Sequence, residues 1–137
     1  AIVSIHSSFA MNKTEMTKRI LTALAHPKVK ILGHPTGRLL GSREAIDVNW
    51  AEIFDFCRKA NKALEINSFP VRLDLPDSLV KEAIDAAVKL VIDTDSHDVS
   101  HMQLMKYGVA VGRRGWAEKS DIINTLSYNE IKKWLLQ

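Results

Sequence analysis

The sequence contains a single cysteine, Cys57, and this scarcity excludes two kinds of architecture. One cysteine cannot form a disulfide within the chain, and it cannot build a cysteine-based zinc site. Cys57 lies on the apolar side of a predicted helix, so we expect a small core residue there. No apolar run approaches the ~20 residues needed to cross a bilayer, and the first residues lack the basic segment of a signal peptide. We therefore expect a cytoplasmic protein without a membrane partner.

Two common site motifs are also missing. No G-x-S-x-G segment is present, which argues against a nucleophilic serine. The stretch 108–112 contains two glycines but has neither the Walker lysine nor G-x-G-x-x-G spacing, so a nucleotide-binding loop is not expected. The net charge of +3 permits an anionic partner without requiring one.

Four short apolar runs alternate with helical patterns along the chain. The runs cover 2–5, 29–32, 63–66 and 90–92, and their near-continuous apolar character is typical of strands in a parallel sheet. Apolar stripes at helical spacing separate or follow these runs; their members are Met16, Ile20, Ala23 and Leu24, then Trp50, Ile53, Phe54 and Cys57, then Leu79, Val80, Ala83, Ile84 and Ala87, and finally Ile131, Trp134 and Leu135. The fold class predicted is α/β, with parallel strands alternating with helices in an open sheet or part of a barrel.

Helix starts and tryptophans refine this prediction. Asn12 and Ser127 are predicted helix caps because a glutamate follows each of them three residues on. Pro76 is predicted in the first turn of the third helix. Trp50 and Trp134 are expected in the core, and packing is also expected for Trp116 in preference to stacking on a base.

Every predicted strand ends near a side chain able to bind a metal ion or a polar ligand. Because the carboxyl ends of adjacent parallel strands converge on one face, these side chains should meet there. Imidazole and carboxylate groups suit Zn²⁺, Mn²⁺ or Fe, and such ions can activate phosphate esters. The other two histidines, His26 and His101, are expected to be structural or surface residues. The side chains at the strand ends are His6, His34, Glu65, Asn67, Asp95 and His97.

Basic residues flank the same predicted face. Arg38 and Arg43 follow His34 and are the main candidates for phosphate contacts, since a guanidinium can donate to two phosphate oxygens at once. Arg72 and the pair 113–114 are weaker candidates. The alternative is that all are solvated charges or partners of nearby acids.

Four segments together resemble one known superfamily. Residues 33–40, 64–67, 93–97 and 107–116 resemble motifs of the PHP (polymerase and histidinol phosphatase) superfamily, and most closely the PHP domain of bacterial and archaeal family X DNA polymerases. The resemblance spans nearly the whole chain. It implies that residues 1–137 are the C-terminal portion of a distorted (β/α)7 barrel whose N-terminal part is missing.

The resemblance also implies a set of roles. His6 and His34 would bind one divalent metal ion, Asp95 a second and His97 a third, and these four residues would be catalytic. The ions would be Mn, Zn or Fe, up to three in the intact domain. Glu65 and Asn67 would support the ligands or contact substrate, and Arg38 and Arg43 remain the substrate-contact candidates that their position after His34 indicates.

The implied activity is metal-dependent phosphodiester hydrolysis of the 3′–5′ exonuclease type, with DNA bound through a parent polymerase. Because the family's upstream histidines and bridging glutamate have no counterpart in the chain, we expect the isolated chain to be inactive. A phosphatase of a small phosphorylated metabolite and a non-catalytic structural remnant are the alternatives. An incomplete barrel would leave one edge of the strand at 2–5 unpaired, so a homo-oligomer through that edge is also expected.

Overall fold

Four parallel strands form one sheet in the order β1–β2–β3–β4. In the computed structural model, which describes residues 1–137, the strands are β1 (Ile2–Val3), β2 (Ile31–Leu32), β3 (Ala63–Asn67) and β4 (Lys89–Asp93). Ile2 pairs with Ile31, Ile31 with Ala63, and Ala63 with Lys89, so the strands begin in register. The predicted parallel sheet is confirmed, although β1 and β2 are shorter than their apolar runs.

Helices connect and follow the strands. They are α1 (Lys13–Leu24), α2 (Trp50–Lys59), α3 (Asp77–Asp85), α4 (Met105–Arg114) and α5 (Tyr128–Leu136), with short 3-10 helices at Val99–Leu104, Lys119–Asp121 and Ile123–Thr125. The predicted α/β alternation is confirmed and is compatible with part of a barrel. Helix α4 was not predicted, because its two glycines disguise the helical pattern. None of the helices combines the length and the apolar character needed to cross a membrane.

Helix starts follow the predicted caps at both ends of the chain. The Asn12 side chain accepts a hydrogen bond from the backbone N–H of Glu15 at 3.0 Å. Ser127 and Glu130 form the reciprocal capping box at the start of α5. Pro76 lies one position before α3, as its N-cap, and not in the first turn as predicted. The difference arises because the Pro76 backbone is extended and the first helical residue is Asp77.

The core lies between the sheet and the helices that cover it. Cys57 is fully buried and Trp134 is buried, as predicted, and Trp50 stacks on Phe54 with ring centroids 5.7 Å apart. Trp116 is 76% exposed, so the packing predicted for it is wrong. Just after α4 the chain turns at Trp116, whose φ is 66°, and the indole remains in solvent.

The two outer strands of the sheet differ in how their free edges are covered. Beyond β4, Ile122 forms a parallel bridge with Leu90. The Asn124 side chain continues this cover, since it accepts from Ile92 N at 2.7 Å and donates to Ile92 O at 2.8 Å. Strand β1 pairs only with β2, so its other edge is open.

Candidate functional site

The carboxyl ends of the strands gather side chains that were singled out in the sequence. His6 follows β1 and His34 follows β2, and their rings meet edge to face with centroids 5.0 Å apart. Asp95 follows β4, and its charge acts on the His34 imidazole. Three of the four predicted metal ligands therefore lie at the same face of the sheet.

His34 is held in an unusual backbone conformation. It is only 5% exposed, and its φ of 30° places it in the left-handed region. That conformation costs a non-glycine residue about 1–3 kcal/mol and persists only where the surroundings impose it. Here the buried Glu65 carboxyl group accepts a hydrogen bond from His34 N.

Electrostatics keep the His34 imidazole neutral. Burial lowers the pKa of His34 below its ordinary value of 6.5, and the charges of Arg72 and His6 lower the pKa further. The nearby Asp95 carboxylate acts in the opposite direction with a smaller effect. At neutral pH the ring is therefore uncharged, which is the form that binds metal ions.

Glu65 and Asn67 support the strand ends from within β3. Besides the bond from His34 N, Glu65 accepts one from Asn67 Nδ2 at 3.2 Å. Burial, followed by the hydrogen bond and the charge of Asp93, raises the pKa of Glu65 to about 9. Glu65 is thus protonated at neutral pH. Asn67 Oδ1 accepts from the backbone N–H of Phe69 at 2.9 Å, so both side chains bind protein groups that carry the site.

Arg72 and Asp95 form an ion pair beside the histidines. The distance from Arg72 Nε to Asp95 Oδ2 is 3.7 Å, and the two side chains are 19% and 34% exposed. Asp95 also has a left-handed backbone, with φ of 47°, and its N–H donates to Asp93 Oδ1 at 3.1 Å. The loop after β4 is therefore shaped to present Asp95 to Arg72.

His97 adjoins Asp95 but lies in solvent. Its Nδ1 is 2.7 Å from Asp95 O, and because a carbonyl oxygen can only accept, Nδ1 carries the proton and Nε2 keeps a free lone pair. The backbone N–H of His97 donates to His101 Nδ1 at 3.2 Å, and the His101 ring packs against Phe69. The structural role expected for His101 is confirmed, and His26 is an exposed loop residue.

The two arginines predicted to contact phosphate already make protein contacts. Arg38 Nε donates to Arg72 O at 3.0 Å, and Arg38 Nη2 donates to the next carbonyl oxygen. Arg43 Nε donates to Gly37 O at 2.8 Å, and its guanidinium lies 3.7 Å from the centre of the Phe9 ring. Arg38 thus ties two loops together, and neither arginine is a simple solvated charge.

Asp74 is a site residue that the sequence analysis missed. It is fully buried, and its two carboxylate oxygens lie 3.0 and 3.1 Å from the backbone N of Thr36. Burial raises the pKa of Asp74 above its ordinary value of 3.8, although the Thr36 hydrogen bonds and the Arg38 charge oppose the rise. No local pattern signals this contact, because 38 residues separate the two partners.

The residues present fit part of a metal shell. His34 Nδ1 is buried and has no hydrogen-bond partner, and such orphaned atoms are rare unless a ligand satisfies them. The neighbouring imidazole of His6 and the carboxylate of Asp95 are suitable donors for a divalent transition metal. No three His, Cys, Asp or Glu side chains converge closely enough to complete a site within this chain. The four-ligand assignment, including His97, stays a prediction.

The fold is thus a parallel α/β sheet with imidazole and carboxylate groups at its strand ends. No protein-family model matches the chain. The chain is 40% identical over 134 residues to "DNA polymerase/3'-5' exonuclease PolX" of Bacillus subtilis (strain 168). The match covers 98% of this chain and 24% of that protein, so the chain spans about a quarter of its relative's length.

This similarity confirms the relation to a polymerase of the PolX type that the sequence motifs indicated. The chain is related to one segment of a much longer protein, whose name includes two activities. The assignment to the PHP superfamily and the metal site stay predictions.

Proposed function

We propose that the chain is the C-terminal part of a PHP-type phosphoesterase domain that hydrolyses phosphodiester bonds at DNA 3′ ends, within a polymerase of the PolX type. The observation that carries the proposal is His34, a neutral imidazole whose buried Nδ1 has no partner and whose ring meets His6 at 5.0 Å. The name of the Bacillus subtilis relative, which includes 3'-5' exonuclease, supports the choice of reaction. DNA is accordingly the proposed partner.

Within this proposal the strand-end residues hold a divalent ion of Mn, Zn or Fe. His6 and His34 supply imidazole nitrogens, Asp95 supplies a carboxylate, and Nε2 of His97 is a further donor. When bound, such an ion supplies Lewis-acid polarisation of a phosphoryl oxygen. Glu65 fixes the His34 backbone through their hydrogen bond, so the imidazole does not need to reorganise.

The proposal also assigns an incomplete metal shell to this chain. No three such side chains converge closely enough to hold an ion, so the proposal places the remaining ligands on other segments of the intact domain. We therefore expect the isolated chain to lack exonuclease activity. For the intact domain we propose a barrel, of which this chain forms one part and which those other segments close.

A chimera tests the proposed reaction. This chain replaces the segment that it matches in the Bacillus subtilis relative, and degradation of 5′-labelled single-stranded DNA is measured with Mn²⁺. We expect activity in the chimera, reduced at least ~100-fold by His34→Ala, since losing a group that only supports a metal ligand already costs about 10–100-fold. His26→Ala is the matched control, because His26 is exposed and its ring contacts only a nearby loop N–H. Equal activity of the His34→Ala and His26→Ala chimeras would refute the proposal, provided that polymerase activity shows both to be folded.

A further inference from the structure

Arg72 has a guanidinium group that is largely buried and makes no hydrogen bond. Its side chain is 19% exposed, and its Nη1 is buried without a partner. The nearest acid, Asp95, is 3.7 Å from Nε, which is too far for a hydrogen bond. A guanidinium carries five N–H donors, and leaving them unsatisfied while they are shielded from water is costly.

Other arginines of the chain show how unusual this is. Arg38 and Arg43 donate to backbone carbonyl oxygens, Arg19 donates to Ser7, and Arg114 donates to Asp77 at 2.7 Å. Each of these guanidinium groups has a protein acceptor. Arg72 is the partly buried arginine whose side chain has none, so an acceptor from outside the chain would satisfy it.

The loop that carries Arg72 is fixed from both sides. Arg38 Nε donates to Arg72 O at 3.0 Å, and Asp74 accepts from Thr36 N at 3.0 Å. The loop of Thr36 and Arg38 donates both hydrogen bonds and the loop of Arg72 and Asp74 accepts both, so the two loops hold each other in register. The backbone that carries the Arg72 guanidinium is consequently fixed before any ligand arrives, which favours strong charge recognition.

The position of Arg72 defines the charge of its ligand. It lies close enough to His34 for its charge to act on that imidazole, and Asp95 is the only acid in salt-bridge range of its guanidinium. A planar cationic fork with free donors, next to the imidazole rings of His6 and His34, suits an anion with several oxygens. Phosphate esters have this geometry.

We propose that Arg72 is a phosphate-binding residue, which donates from Nη1 and Nε to the non-bridging oxygens of a phosphoryl group at this face. The inference rests on the proposed function for its choice of ligand, but it assigns a residue that the metal-ligand set does not include. Substrate would displace the long contact to Asp95 and satisfy the buried Nη1.

Anion binding to the metal-free chain tests this assignment. With excess chelator present, the arginine Nε–H resonances are followed by two-dimensional NMR during titration with inorganic phosphate, and separately with thymidylyl-thymidine, which holds one internal phosphodiester. We expect the Arg72 resonance to shift saturably. Arg72→Met should weaken binding at least about tenfold and Arg72→Lys should restore it only partly, because lysine keeps the charge but loses the fork. Arg58→Met, at an exposed arginine of α2 that pairs with Asp55 at 2.9 Å, should bind like the wild type.

The outcomes separate this inference from the proposed function. An unmoved Arg72 resonance, or equal affinity of Arg72→Met and wild type, would overturn it. If Arg72→Met does not fold, the wild-type resonance alone decides. Preference for inorganic phosphate supports recognition of a terminal phosphate, and preference for the dinucleotide supports recognition of an internal diester. Because no metal is present, failure of the histidines to bind an ion would leave this result standing.

Discussion

At the scale of single residues, the left-handed backbones of His34 and Asp95 mark the site. Both positions follow strands, and both belong to the residues chosen from the sequence by that criterion. The backbone conformation itself could not be predicted, because a left-handed backbone is uncommon even for histidine and aspartate, which adopt it more often than most residues other than glycine. It is imposed by neighbours such as Glu65, whose contact with His34 spans 31 residues of sequence.

Asp74 gives a pH-dependent prediction at this scale. Because the pKa of Asp74 is raised above 3.8 in the folded state, the fold prefers its protonated form. The stability from this preference is fully present below pH ~3.8 and is lost as the pH rises through the folded pKa. Asp74→Asn resembles the protonated carboxyl group at every pH. We therefore expect the variant to gain stability relative to the wild type between pH 4 and pH 7, measured by urea unfolding at both values.

A constant difference between wild type and Asp74→Asn across that pH range would contradict the prediction. Asp85→Asn is a suitable control, since Asp85 is an exposed partner of Lys81 on α3. Its ion pair is on the surface and should contribute less than about 1 kcal/mol at any pH.

Asp74, which the sequence analysis did not name, and Arg72, which it ranked only as a weaker candidate, show where sequence reasoning reached its limit. The strand ends could be located because each strand is a short apolar run, and the polar residue that follows it marks where the run stops. Arg72 and Asp74 lie in an irregular loop between β3 and α3, where no period identifies an inward-facing side chain. Their partners, at residues 36, 38 and 95, become neighbours only through the folded sheet.

At the scale of elements, helix α4 depends on close packing that only glycine permits. Gly108 faces Ser68 and Ile92, and a Cβ built on it would lie 2.6 Å from Ile92 Cγ2 and still nearer to Ser68 Oγ. A Cβ added to Gly112, one turn later, would have no heavy atom nearer than 3.7 Å. The two glycines of one helix therefore have different packing environments.

The pair provides an internally controlled prediction. Gly108→Ala should destabilise the protein by about 1–3 kcal/mol, because the added methyl group forces α4 away from the sheet. Gly112→Ala should be neutral or stabilise it by up to about 1 kcal/mol, because alanine has the higher helix propensity. Thermal or urea unfolding of both variants measures the difference, and an equal effect of both would contradict this account of the packing.

The two glycines of α4 also explain why the sequence analysis missed this helix and found the other four. Its neighbours have uninterrupted apolar stripes and recognisable caps, as at Asn12 and Ser127. In α4, two glycines lower the intrinsic helix propensity by about 1 kcal/mol each, and packing against β3 and β4 compensates for the loss. That compensation is tertiary and has no local signature.

At the scale of the whole molecule, the open edge of β1 is the surface through which a second copy of the chain could pair. Ile2 is 55% exposed on a strand that pairs on one side only. We propose that the isolated chain self-associates through this edge, as unpaired apolar strands do. Ile2→Lys should yield a monomer by light scattering at high micromolar concentration, with little loss of stability.

Leu136→Lys is the control for this variant, because Leu136 is also an exposed apolar residue but lies at the end of α5. It should associate like the wild type. A monomeric wild type at the same concentration would show that the β1 edge is inert. The parallel alternation of strands and helices could be predicted from the sequence at this scale, whereas the uneven cover of the two sheet edges could not, since it depends on Asn124 reaching the backbone of β4.

The central claim is that the strand-end histidines bind a metal ion, and metal content tests it most directly. The chimera that carries this chain within the Bacillus subtilis relative, which supplies the remaining ligands, is loaded with Mn²⁺ or Zn²⁺, dialysed and analysed by plasma mass spectrometry, beside its His34→Ala variant and the control His26→Ala. The account predicts near-stoichiometric metal in the wild type and in His26→Ala, and its loss in His34→Ala. Absence of metal from the wild type, or equal content in all three proteins, would contradict the claim that His6 and His34 form part of a metal site.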